Sequence, residues 1–121
     1  MSDKIYIRDL ALRTIIGIFP EERTKRQDVV VNVEMEVDSH APAAASDDIE
    51  DATDYKSITK HLINHVEGSS YNLIETLAER CAEICLSTSA VKKVKVTIDK
   101  PGALRFARSV AVEVLRERPP A

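Results

Sequence analysis

This chain has no tryptophan, only three glycines and only two cysteines among its 121 residues. Aromatic residues make up 4% of it, and each shortage removes a class of function. A groove for single-stranded nucleic acid needs flat rings on which bases stack. It also needs a basic excess, whereas the net charge here is −3. Three scattered glycines leave no Gly-rich loop to cradle a phosphate. No apolar run approaches the ~20 residues that a bilayer-crossing helix requires. Gly-x-Ser-x-Gly is absent, and no cysteine and histidine stand as a nucleophile with its base. The start, Met1-Ser2-Asp3-Lys4, lacks the basic-then-apolar pattern of a secretory leader, so the expected address is the cytosol.

What is present is ordinary globular composition, 44% hydrophobic and 31% charged, in a length that suits one domain over residues 1–121. Cys81 and Cys85 stand four apart in a helical pattern. They read as small buried core residues, since a disulfide is out of place in a reducing compartment. His61 and His65 have the i, i+4 spacing of zinc ligands. The zinc-peptidase pattern needs Glu directly after the first His, and Leu62 stands there with no third ligand in view. Neither a metal nor another cofactor is expected.

Ile5 and Ile7 alternate with polar residues, and Leu10 and Leu12 continue on the opposite parity. A strand whose apolar face changes parity at Arg8-Asp9 contains a bulge there. Val29, Val31, Val33, Met35 and Val37 alternate with polar partners in the clearest strand of the chain. Between these strands Pro20 to Gln27 reads as a charged hairpin tip. Residues 39–54 are rich in Ala, Ser and Asp and read as a crossover loop whose acids are solvated. Helical spacing begins at Tyr55 with Ile58, Leu62, Ile63 and Val66, capped by Asp54 and broken at Gly68-Ser69-Ser70. A second helix carries Leu73, Leu77, Ala78, Cys81, Ala82 and Cys85 on one face. Val94, Val96 and Ile98, then Val110, Val112 and Val114, form two more strands around a Lys100-Pro101-Gly102 turn. The tail from Arg116 to Ala121 is expected to fray.

The order strand, strand, helix, helix, strand, strand predicts an α+β domain with an antiparallel four-stranded sheet and both helices on one face. Asn32, Glu34, Glu36, Lys95, Thr97 and Glu113 would line the other. A lone sheet of four strands has two unprotected edges, and pairing of subunits edge to edge into a closed ring would remove them.

Four residues carry the chemistry. Glu75 follows Asn72 at the spacing of a capping box, which by itself explains its carboxylate. At a helix start it can also hold the two parallel N–H donors of an N–C(NH2)–N edge, as in a pterin or guanine. Lys100 follows a strand; most such lysines are solvated turn residues, but a part-buried one can exchange protons near neutrality. Tyr55 at a helix start is either a core anchor or a hydroxyl for a substrate oxygen. Glu22 is either a solvated loop acid or a proton carrier.

The segments Ile15-Ile16-Gly17-Ile18 with Glu22, Asp54-Tyr55, His65-Val66-Glu67, Asn72 to Glu79, and Ile98-Asp99-Lys100-Pro101-Gly102-Ala103 resemble the dihydroneopterin aldolase family. The likeness runs in order over essentially the whole chain. Leu12-Arg13-Thr14, Arg26-Gln27-Asp28 and Ala103-Leu104-Arg105-Phe106-Ala107 bring it closer to that family's triphosphate 2'-epimerase branch. The resemblance implies the tunnelling fold, assembled as a barrel-like tetramer or an octamer of two rings with sites between subunits. It implies that Glu75, helped by backbone near Leu73, anchors the pterin, with Tyr55 reaching in from the adjacent subunit. Lys100 and Glu22 would then move protons around the side-chain hydroxyls and ring N5.

The implied reaction removes the 2'-hydroxyl proton, breaks C1'–C2' and lets the ring imine take the electrons as N5 is protonated. Re-addition of the fragment to its other face inverts C2'; its departure is aldolase chemistry that yields 6-hydroxymethyl-7,8-dihydropterin. Arg13, Arg23, Lys25, Arg26, Arg105 and Arg108 are candidates to hold a triphosphate, with Arg105 and Arg13 favoured. A non-catalytic ring that binds a pterin or purine is the reading from a different class; it has no need of all four chemistry-bearing residues.

Overall fold

The computed structural model describes residues 2–119. Strands β1 (Ser2–Thr14) and β2 (Gln27–Asp38) pair antiparallel, and β3 (Val91–Pro101) and β4 (Ser109–Glu117) complete a sheet in the order β1-β2-β3-β4. Between β2 and β3 run α1 (Ala41–Ser46), α2 (Tyr55–Gly68) and α3 (Ile74–Leu86). Among the described residues no helix is long and apolar enough to cross a membrane.

The sheet follows its alternation. Val29, Val31, Val33, Met35 and Val37 are buried, as are Val94, Val96 and Ile98 opposite them. They pack with Leu62 and Val66 of α2 and Leu77, Cys81 and Cys85 of α3 in one apolar core. Both helices lie against the sheet, α2 on β1 and α3 on β3 and β4. The residues between the buried ones, Asn32, Glu34, Glu36, Lys95 and Thr97, are half-buried and Glu113 is exposed, so the second face is polar as expected.

The parity change in β1 is a register shift between Ile7 and Leu10. Asp9 sits there at φ 55, and its N–H donates to Asn32 Oδ1 at 2.8 Å, which closes the bulge onto β2. Asp54 caps α2, accepting from Ser57 N at 3.0 Å. Cys81 and Cys85 are free, buried thiols, and burial pushes each up to about 12. They are inert core residues.

Four expectations are corrected. The crossover holds a helix, α1, and a 3-10 turn at Ile49–Asp51 whose Asp48 accepts from Glu50 N at 3.0 Å. Ala-rich α1 buries no residue, so it leaves no apolar stripe to read. The charged tip likewise contains a 3-10 turn, Pro20–Arg23. Lys100 lies within β3, opposite Val110, and the turn begins only at Gly102. The tail does not fray at Arg116. Arg116 forms an ion pair with Glu79 of α3, Glu117 lies opposite Lys93 in the β3–β4 ladder, and Arg118 N donates to Lys92 O at 2.9 Å. Pro120 and Ala121, also in that tail, lie outside the described residues.

Candidate functional site

The loop after β1 folds back on itself through Glu22. Its backbone N–H donates to Phe19 O at 2.9 Å, and its carboxylate accepts from Phe19 N at 3.2 Å. The carboxylate therefore closes the 3-10 turn and points inward instead of into solvent. There it accepts from Gln27 Nε2 at 3.1 Å and from Lys100 Nζ at 2.6 Å. Gln27 also donates to Ile16 O at 2.6 Å, so one amide locks the loop and aims the acid.

Strand register brings the lysine to this point. Val30 faces Asp99 across β2 and β3, so Lys100 projects beside the first residues of β2, where the loop ends. The side chains of Lys100 and Glu22 are 13% and 17% exposed, shielded enough for a strong ion pair yet still open to a ligand. The Lys100 hydrogen bond, then that of Gln27, holds the Glu22 carboxyl down to about 2, against an ordinary 4.5. Since the folded-state value is the lower, this contact stabilises the fold fully above pH 4.5 and is lost as pH falls towards 2. Carbon-13 NMR titration of the Glu22 carboxyl should give a midpoint near 2, and a midpoint at 4 or above would mean that the pair is open in solution.

Gly17 makes this packing possible. Its φ is +123, which a side chain rarely tolerates, and a Cβ there would overlap the Glu22 carboxylate. In the sequence Gly17 stands out only as part of the Ile15-Ile16-Gly17-Ile18 segment; a glycine five residues before a loop acid was the available signal.

Glu75 is exposed in the first turn of α3, but Asn72 is not the cap. The cap position is Leu73, extended at φ −123 and ψ 139, with no side-chain hydrogen bond to the helix. Glu75 is thus the second helical residue, and a capping box does not account for its carboxylate. The early N–H groups of α3 and the Glu75 acid face the same end of the helix, where donor and acceptor groups can grip a planar heterocycle.

That end lies beside the Glu22 loop. Gly17 N donates to Tyr71 O at 3.4 Å, and Thr14 Oγ1 donates to Ser69 O at 3.0 Å. The turn between α2 and α3 is therefore sewn to the loop that carries Glu22.

Tyr55 is not brought to the others within this chain. It is half exposed at the opposite end of α2, which with 14 residues is about 20 Å long. It lines an open groove with Ile49, Thr53, Lys56 and Lys60 and has no side-chain hydrogen bond to Glu22, Glu75 or Lys100.

The basic candidates divide. Arg13 donates to Arg26 O at 2.9 Å and pairs with Asp28 at 3.5 Å, while Arg26 donates to Glu67 O at 2.7 Å. Arg23 donates to Gly17 O at 2.9 Å and Tyr71 O at 3.0 Å. Arg105 sits on the exposed β3–β4 loop with its guanidinium 5.0 Å over the Phe106 ring. His65, once weighed as a metal ligand, contacts the Tyr71 hydroxyl through Nε2 at 2.8 Å. Among the described residues no three His, Cys, Asp or Glu side chains cluster as a metal site would require.

Comparison with known proteins gives this geometry a lineage. The family FolB, dihydroneopterin aldolase, matches residues 5–115. The dihydroneopterin triphosphate 2'-epimerase of Escherichia coli (strain K12) is 41% identical over 117 residues, 94% of this chain and 94% of that protein. The dihydroneopterin aldolase of the same organism is 37% identical over 114 residues, 94% of this chain and 93% of that protein. Among solved structures, E. coli dihydroneopterin aldolase in complex with neopterin superposes with a TM-score of 0.89 at 35% identity, covering 94% of this chain and 98% of that one. Matched over 94% of its length in sequence and in fold, the chain belongs to the dihydroneopterin aldolase family.

Proposed function

We propose that this protein epimerises 7,8-dihydroneopterin triphosphate at C2', giving the monapterin form, by retro-aldol cleavage and re-addition. The observation that carries the reading is the shielded Lys100–Glu22 pair, 2.6 Å apart, on the end of the fold that also presents Glu75. Glu75 takes the amino and N3 donors of the pterin in its two oxygens, with Leu73 backbone beside it. Lys100 and Glu22 carry a proton from the 2'-hydroxyl and supply one at N5. The C1'–C2' electrons pass to the ring as C6=C1' forms, so the substrate is its own electron sink. Retaining the fragment while it turns over gives inversion; losing it gives 6-hydroxymethyl-7,8-dihydropterin.

Tyr55 belongs to this reading as a contribution from a second copy. At about 20 Å along α2 from the loop, it cannot serve its own chain's pair. Edge strands β1 and β4 offer the surfaces through which copies would close into a ring, a tetramer or two stacked tetramers, with the domain of residues 1–121 as the repeating unit. Sedimentation at micromolar concentration reads this directly, and a stable monomer would remove Tyr55 from the site. A cytosolic address accords with two free, buried thiols.

Arg105 is the favoured triphosphate ligand, because Arg13 already engages Asp28 and Arg26. Replacing Arg105 by Ala should lower kcat/KM for the triphosphate by about tenfold and spare unphosphorylated 7,8-dihydroneopterin. Equal losses on both compounds would remove the assignment.

The test of the whole is chiral analysis of the products from phosphorylated and free dihydroneopterin. The C2'-inverted, uncleaved compound is the expected result. Stoichiometric free glycolaldehyde from the unphosphorylated substrate would instead make it the aldolase, the reading that 37% identity to an aldolase keeps in play. Binding without turnover would leave a pterin-holding ring.

A further inference from the structure

Arg23 entered the sequence reading only as one of six basic residues that could meet phosphate, yet its guanidinium is already engaged. One nitrogen donates to Gly17 O at 2.9 Å and Tyr71 O at 3.0 Å, and the other donates to Ser70 O. These carbonyls come from two separate loops. The first carries Glu22; the second runs through Leu73 into α3 and Glu75. A planar fork with fixed donor directions suits such a bridge, whereas a lysine ammonium would reach only part of the three carbonyls.

The receiving loop is itself held. Tyr71, which gives one of the three carbonyls, has its hydroxyl 2.8 Å from His65 Nε2 on α2. The same Tyr71 carbonyl also accepts from Gly17 N. Arg23 therefore joins two braced segments and is not decorating a mobile one. No other described side chain bonds backbone of both loops at once.

We propose that Arg23 is a positioning residue that sets the separation between the Glu22–Lys100 pair and the pterin-gripping end of α3. The proposal deepens the function put forward above and rests on it. Without Arg23, α3 still presents Glu75, but the loop that carries Glu22 shifts against it and the Glu22–Lys100 contact slackens. Gly17 N and Thr14 Oγ1 still tie the two segments, so their mutual placement loosens without being lost. Reacting groups displaced by about 1 Å can lose on the order of a hundredfold in rate, while a ligand gripped by one half still binds.

The experiment compares Arg23→Met and Arg23→Lys in the full chain. It measures turnover of 7,8-dihydroneopterin, neopterin affinity by fluorescence, thermal unfolding, and carbon-13 titration of Glu22. Arg23→Met should lose about 30-fold or more in kcat with neopterin affinity changed less than about threefold, and the Glu22 midpoint should rise. Arg23→Lys should recover part of the rate. A lower unfolding temperature with kcat and the Glu22 titration unchanged would make Arg23 a stability residue only, and overturn the proposal. If Arg23→Met does not fold, Arg23→Lys carries the test, and a wild-type kcat in it overturns the proposal as well. If the wild-type protein turns over no pterin at all, the proposed function fails by itself. The Glu22 titration in the variants then still decides whether Arg23 holds that carboxylate in place.

Discussion

Replacing Lys100 by Ala should cut pterin turnover by about 10³-fold while neopterin still binds, because the change removes a proton carrier and not the grip on the ring. The geometry fixes what is left behind. Glu22 keeps Gln27 Nε2 at 3.1 Å and Phe19 N at 3.2 Å, so the carboxylate remains aimed. It loses the contact that lowers its carboxyl most, and its titration midpoint should climb from about 2 towards the ordinary 4.5. Because Glu75 stands on a different element, the pterin anchor is untouched. Steady-state kinetics beside fluorescence titration with neopterin separates the two effects. If kcat were spared, or if affinity fell in step with kcat, Lys100 would be a structural or binding residue instead.

The contrast between that pair and the rest of the molecule shows what a linear sequence exposes. Strand β2 was plain because a half-buried strand repeats every two residues, and Val29 to Val37 keep that period without a fault. The β1 bulge was legible for the same reason, since a parity change has few other causes. Glu22 and Lys100 were recognisable as chemistry-bearing types, and the family resemblance joined them, but their contact spans 78 positions. It depends on the register of β2 against β3 and on an inward-turned loop, neither of which local pattern records. Arg23 stood only among the phosphate candidates because a guanidinium that binds carbonyls and one that binds phosphate have the same sequence signature. Asn72 was misread because the cap spacing was right while the chain turned one residue later, at Leu73. Tyr55 stands apart for a different reason: at the far end of α2 from the loop, its place in the site needs a second chain.

Gly17→Ala should be the most damaging single change to the site that substitutes no catalytic residue. Two costs add. The backbone at φ +123 is strained for any L side chain, about 1–3 kcal/mol. The new methyl would also occupy the volume of the Glu22 carboxylate, which must then leave Gln27 and Lys100. Displacing it frees the Lys100 ammonium and breaks the acid–base pair, so turnover should fall by at least a hundredfold, with neopterin affinity reduced far less. Gly102 supplies the control. It too has positive φ, +74, but a Cβ there meets nothing within 4 Å. Gly102→Ala should therefore lose about 1 kcal/mol of stability from strain and keep its turnover. Denaturant melts and kinetics on the two variants separate backbone strain from steric eviction. If Gly17→Ala kept wild-type turnover and a Glu22 midpoint near 2, the carboxylate would not lie against Gly17, and the account of how this loop aims its acid would be wrong.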